Sequence, residues 1–246
     1  MKPFLACLTA LACSLAPLIN DAPAHAQVAC APFTAQPLPA PAPRRAWWPV
    51  HRFGEINKWV KTRPYRVLFF GDSITEDFDK EVWRANLAPR GVFNAGVSGD
   101  NTEHLLWRLQ HGNLAGPPPR GVILLIGTND LGHGRSPALA AEGVRADLLY
   151  LRRHLPHAPI LLLGLWPRAA SPDAKLRRAT VAVNRLIRHC GDGRRVVYAD
   201  IGGVLLDVRG RLDRAISPDF LHFTRQGYER LAPRLDRLID ALVGRR

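Results

Sequence analysis

Cysteine is scarce in this chain of 246 residues. There are four, with no Cys-x-x-Cys pair and no Cys/His spacing of the kind that holds zinc. A disulfide-framework miniprotein and a zinc module are excluded on that count. Acidic residues are also few, 21 Asp and Glu against 34 Lys and Arg. Beyond the N-terminus no apolar run is long enough to span a bilayer. The 20 glycines and 21 prolines follow no period, which rules out collagen-like and solenoid chains. The net charge of +13 favours anionic partners in principle. The arginines are scattered, though, and the densest clusters are pairs such as Arg44-Arg45 and Arg177-Arg178. No nucleic-acid-reading motif accompanies them, so a solvated basic surface is expected and a nucleic-acid partner is not.

What is present is globular: 47% hydrophobic and 22% charged residues, enough for a sizeable core. The first residues read as a targeting signal. Lys2 precedes an apolar run from Phe4 to Ala16, and Ala24-His25-Ala26 is a small-x-small cleavage pattern before Gln27. Residues 1–26 are therefore set aside as a secretory signal peptide; a retained anchor or a lipoprotein box around Cys13 are the alternatives. Export implies an oxidising compartment, periplasmic or extracellular. Removal of the signal leaves Cys30 and Cys190, and whether they pair is not decided by sequence.

Residues 27–46 form a Pro/Ala-rich arm, and 47–246 the folded domain. A helix is expected over 51–62, with Phe53, Ile56 and Val60 on one face. Five short β-rich runs follow, at Val67–Phe70, Val92–Ala95, Val122–Ile126, Ile160–Gly164 and Val196–Ala199. Most are continuously apolar, as strands covered on both faces must be. Helical stretches lie between them, around 80–88, 102–111, 137–155 and 174–190, with a last one at 225–243. Strand-helix alternation predicts an α/β fold: a flavodoxin-like three-layer α/β/α sandwich of about five parallel strands. In such sheets the site lies beyond the carboxyl ends of the strands.

Four segments there carry chemistry. Gly71-Asp72-Ser73 ends the first strand and puts a hydroxyl at a helix N-terminus, either as a nucleophile or as an ordinary cap. Asn94-Ala95-Gly96-Val97-Ser98-Gly99 ends the second, a loop whose N–H groups can approach a ligand, or a plain turn. Gly127-Thr128-Asn129 ends the third; Asn129 either offers its amide to a developing oxyanion or caps the turn. Asp219-Phe220-Leu221-His222 places a carboxylate where it can orient an imidazole, a weak signal by itself.

Together, and in this order, these four segments resemble the blocks of the GDSL, or SGNH, hydrolases, whose naming letters fall on Ser73, Gly99, Asn129 and His222. The stretch Asn94–Leu109, the Trp47…His51-Arg52-Phe53 entry, Leu163–Arg168 and Asp219–Thr224 resemble in particular the catalytic subunits of platelet-activating factor acetylhydrolase. The resemblance implies the SGNH hydrolase fold and a serine esterase with Ser73, Asp219 and His222 as triad. It implies an oxyanion hole from the Ser73 and Gly99 N–H groups and the Asn129 amide, with no metal or organic cofactor. It also places Ile74, Thr128 and Leu221 around a small acyl pocket suited to acetyl esters, where the other reading is simple core packing. Pairing of two copies rests on this likeness alone.

The substrate is then a small-molecule, lipid or glycan ester. The rival readings are an exported carbohydrate O-acetyl esterase, a non-catalytic cell-surface binding module on a hydrolase scaffold, and a flavodoxin-like cofactor or receiver domain.

Overall fold

The computed structural model describes residues 28–244, so the proposed signal peptide lies outside the described residues. Five parallel strands make one sheet: β1 (Val67–Gly71), β2 (Val92–Gly96), β3 (Gly121–Leu125), β4 (Ile160–Leu163) and β5 (Val196–Ala199), in the order β2-β1-β3-β4-β5. Every residue of β1, β3 and β4 is buried, which is why they read as unbroken apolar runs. The edge strand β5 is buried only at Val196.

Helix α1 (Trp47–Thr62) starts a turn earlier than expected, with Pro49 in its first turn, where a missing N–H costs nothing. Its inward face is Arg52, Ile56 and Val60, and Phe53 is only partly covered. Arg52 faces inward because it caps the end of β2, donating to the carbonyls of Asn94 (2.8 Å) and Gly96 (3.2 Å). After β1 come the short α2 (Ser73–Glu76) and α3 (Lys80–Val82). The stretch expected to be helical to residue 88 is instead one turn of α-helix, then a wide turn over Trp83–Leu87 and a tight one over Ala88–Arg90. Likewise α4 (Thr102–Arg108) stops short of 111 and continues as a turn kinked at Gly112.

The remaining helices are α5 (Thr128–Gly132), α6 (Pro137–His154), α7 (Lys175–Ile187) and α8 (Arg225–Val243). Helix α6 packs against both α4 and α7, whereas α3 packs against α8, which also touches β4. One continuous hydrophobic core joins these elements.

The arm carries no helix or strand from 28 to 46, as its prolines predict. It is nevertheless fixed. Cys30 and Cys190 are disulfide-bonded across 160 residues of sequence. The Phe33 N–H donates to Glu142 Oε2 on α6 (2.9 Å).

Candidate functional site

The register brings three strand ends level. Gly71 of β1 pairs with Gly96 of β2 on one side and with Leu125 of β3 on the other. The loops that leave these ends therefore share one edge of the sheet, at the point where the chain turns from β2 on one side of β1 to β3 on the other. Backbones crowd here: a Cβ on Gly96 would collide with the Glu76 N–H and lie 2.9 Å from the Asp72 carbonyl. Only glycine lets α2 sit directly over β2.

Asp72 caps α2 by accepting from the Ile74 N–H (2.9 Å). Ser73 is thus the first helical residue, 7% exposed. Its Oγ lies 2.8 Å from His222 Nε2. The other ring nitrogen, Nδ1, is 2.7 Å from Asp219 Oδ2. The proton on Nδ1 faces Asp219, leaving Nε2 to accept from Ser73. Asp219 Oδ1 also accepts from the N–H groups of Leu221 (3.0 Å) and His222 (2.8 Å). Partial burial would raise the Asp219 carboxyl, but these hydrogen bonds, led by the His222 ring, bring it below its ordinary value.

The Asp-x-x-His turn is held in an unusual backbone. Phe220 and Ala169 are the two non-glycine residues with positive φ among the described residues, at +59° and +64°. They meet: the Ala169 N–H donates to the Phe220 carbonyl (2.8 Å). Arg177 in turn donates to the carbonyls of Arg168 (2.8 Å) and Ala169 (2.5 Å). Strain of this kind persists where the surroundings over-determine it, and here they fix the turn that carries His222.

Most of the peptide N–H groups of the Gly99 loop are paired. Ser98 N–H donates to Glu76 Oε2 (2.6 Å), and Asp100 N–H to the Val97 carbonyl (3.1 Å). The Asp100 carbonyl accepts from Asn129 Nδ2 (2.9 Å), and the Gly99 carbonyl from Arg44 Nη1. Among the described residues the Gly99 N–H has no partner, and neither has the Ser73 N–H. Asn129 spends one amide hydrogen on Asp100 and keeps the second. The structure thus brings Ser73, Asp219 and His222 into one hydrogen-bonded chain, and ties Asn129 to the residue after Gly99.

The three expected pocket residues differ in character. Ile74 is 3% exposed and joins the core, its carbonyl accepting from Tyr228 Oη (2.8 Å). Thr128 is buried, with its carbonyl (2.7 Å) and hydroxyl (3.3 Å) both held by Arg168 Nη1. Leu221 is partly exposed.

Burial pushes two nearby carboxyls up: Asp72 to about 7, opposed by the Ile74 N–H, and Asp100 to about 6, opposed by Arg108. Arg108 pairs with Asp100 (2.7 Å) and donates to the Gly71 carbonyl (2.9 Å), bracing the first two strand ends from below.

Arg44, Arg108 and Arg168 escape sequence reasoning as site residues. Arg108 and Arg168 stand inside the family-like stretches, which was the available signal; Arg44 carries none beyond a doublet of arginines. His104 accepts from the Asn101 N–H (3.0 Å) and so caps α4. Trp166 is core, 1% exposed.

Comparison with known proteins agrees with this architecture. Residues 69–230 match the model of the GDSL-like lipase/acylhydrolase family. The chain is 35% identical over 199 residues to the platelet-activating factor acetylhydrolase IB subunit alpha2 of Homo sapiens, covering 76% of this chain and 82% of that protein. It is 32% identical over 195 residues to subunit alpha1 of Bos taurus, covering 78% and 82%. Among solved structures it superposes on a GDSL-like lipase of Bacteroides thetaiotaomicron with a TM-score of 0.64 at 18% identity, covering 78% and 97%. An acetylxylan esterase of Geobacillus stearothermophilus gives a TM-score of 0.58 at 19%, covering 73% and 95%. The chain is therefore a hydrolase and belongs to the GDSL-like lipase/acylhydrolase family.

Proposed function

We propose that the protein is an exported serine esterase that removes short acyl groups, acetyl foremost, from carboxylic esters. The observation that carries the reading is the chain of hydrogen bonds from Asp219 through His222 to Ser73, at 2.7 and 2.8 Å, beside two unpartnered peptide N–H groups. Ser73 Oγ attacks the ester carbonyl while His222 Nε2 takes its proton. Asp219 holds the ring in the required tautomer and stabilises the imidazolium that forms. The negative charge that develops on the carbonyl oxygen is met by the N–H groups of Ser73 and Gly99 and the free amide hydrogen of Asn129. His222 returns its proton to the leaving alcohol. Water then repeats the sequence on the acyl-serine.

Ile74, Thr128 and Leu221 confine the acyl group in this reading, since the first two are buried and Arg168 pins Thr128. Export is supported by the N-terminal pattern and by the Cys30–Cys190 pair, which an oxidising compartment sustains. In this account residues 1–26 are removed and 47–246 form the hydrolase domain behind the arm. An O-acetylated glycan is the second reading for the substrate, because an exported esterase meets such polymers outside the cell.

The test is hydrolysis of 4-nitrophenyl acetate together with labelling by a fluorophosphonate. The wild type reacts with both. Folded Ser73→Ala loses labelling and at least about 10⁴-fold in rate. Wild-type turnover in that variant overturns the assignment, and absence of labelling in the wild type favours a binding module.

A further inference from the structure

The N-terminal arm ends against the site. Arg44 donates from Nη1 to the Gly99 carbonyl, and its guanidinium lies along the bare side of that glycine: a Cβ there would sit 2.7 Å from Nη2 and 3.2 Å from Cζ. No carboxylate stands within ion-pair distance of Arg44 among the described residues, so the Gly99 carbonyl is its hydrogen-bond partner. Gly99 has φ +78°, where glycine is free to rotate its flanking peptides. The Ser98–Gly99 peptide, which carries the Gly99 N–H, lies between two held units. The Val97–Ser98 peptide is fixed by Glu76 at the Ser98 N–H, and the Gly99–Asp100 peptide by Arg44 at its carbonyl and by the Val97 carbonyl at its N–H.

The arm itself is anchored at its far end by the Cys30–Cys190 disulfide and by Phe33 on Glu142. Between the anchors, prolines at 37, 39, 41 and 43 remove every second backbone donor and hold φ near that of an extended chain. Leu38 and Pro39 lie over the seam between α4 and α6, beside Leu106 and Gly143. The arm is therefore a stiff strap fixed at both ends.

We propose that Arg44 is a positioning residue of the hydrolytic site, aiming the Gly99 N–H at the reacting carbonyl oxygen, and that the disulfide-anchored strap holds Arg44 in place. This rests on the serine esterase reading above. Without Arg44 the Gly99–Asp100 peptide keeps only its N–H bond to the Val97 carbonyl, the loop loosens at Gly99, and the donor points at the oxyanion for only part of the time. The loss falls on the transition state, where the charge develops, and spares ground-state binding.

The experiment compares wild type, Arg44→Ala, Arg44→Lys, Cys30→Ala/Cys190→Ala and the triple variant on 4-nitrophenyl acetate. Affinity for a boronic acid that mimics the tetrahedral intermediate is measured in parallel. Arg44→Ala is expected to lower kcat about 10- to 100-fold, with KM within twofold and boronate affinity falling in step. Arg44→Lys recovers part of the loss. The cysteine pair variant loses kcat in the same direction, and the triple variant loses no more than Arg44→Ala.

A kcat within twofold of wild type in Arg44→Ala overturns the proposal, as does a loss confined to KM or losses that multiply in the triple variant. If the cysteine variant does not fold, the Arg44 variants decide. Ser73→Ala separates the two readings: a dead Ser73→Ala with an unimpaired Arg44→Ala sinks the strap and leaves the serine standing. A readout independent of turnover is the Gly99 amide in ¹⁵N-glycine-labelled protein. It shifts or broadens in Arg44→Ala, and an unchanged resonance refutes the positioning role.

Discussion

Opening the Cys30–Cys190 disulfide is expected to remove a large part of the protein's stability. The bond closes a loop of 160 residues. Loop-closure entropy for that length puts its effect on the unfolded chain at about 5 kcal/mol. Residual structure in the denatured state reduces the gain, so about 3–5 kcal/mol is the expected range. For a chain of this size each kcal/mol moves the melting temperature by roughly 2–4 °C, giving a fall of roughly 6–20 °C. Both sulfurs are buried, so a double alanine variant also loses some packing and the reduced wild type is the cleaner comparison. Calorimetry of the oxidised protein, of the same protein in a phosphine reductant, and of Cys30→Ala/Cys190→Ala gives three curves. The last two should coincide within a few degrees, well below the first. A shift under about 2 °C would refute the reasoning. So would mass spectrometry of the protein from an oxidising compartment showing two free thiols.

Other expectations follow from single residues. Asp147 is fully buried in α6 with neither carboxylate oxygen hydrogen-bonded, and burial, followed by the nearby Asp130, raises it well above its ordinary value. Folding therefore binds a proton here: the penalty is absent below about pH 4 and grows as pH rises toward the folded value. Asp147→Asn should be more stable than wild type by about 1–3 kcal/mol at pH 8 and equal to it at pH 4 in urea unfolding; a gain independent of pH contradicts this. Tyr228→Phe leaves the Ile74 carbonyl unpaired and should cost about 1–3 kcal/mol of stability, read by the same method. Asn129→Ala should lower kcat for acetyl esters by about 10²–10³-fold, and an unchanged kcat/KM removes it from the oxyanion hole. Acetate esters should outrun octanoate esters in kcat/KM, and a clear preference for octanoate contradicts the small pocket.

Much of the architecture was legible because burial on both faces leaves a plain mark. Phe69, Phe70, Ile123 and Leu162 sit in runs with no polar break, and each became a strand. Turns were harder. The chain around Trp83–Arg90 has helical spacing but coils unevenly, and the inward face of α1 was misjudged because Arg52, a charged residue, is buried on β2 carbonyls. The side chains that hydrogen bonds join at the candidate site lie in short local motifs, since Asp72-Ser73 and Asp219…His222 each sit within one turn, and this made them visible in the sequence. What no local pattern carries is pairing across the fold. Cys30 meets Cys190, Arg44 meets Gly99 and Ala169 meets Phe220 only after the sheet has brought them together.

The place of β1 in the middle of the sheet's busy half sets a dimension. Neighbouring strands run about 4.8 Å apart, and the segments bearing Ser73, Gly99 and Asn129 leave three adjacent ones at the same height. The three segments are therefore spread over about two strand spacings along this edge of the sheet. Rebuilding the helices on either side can reshape what enters, but the gauge itself belongs to the ladder of peptide bonds underneath.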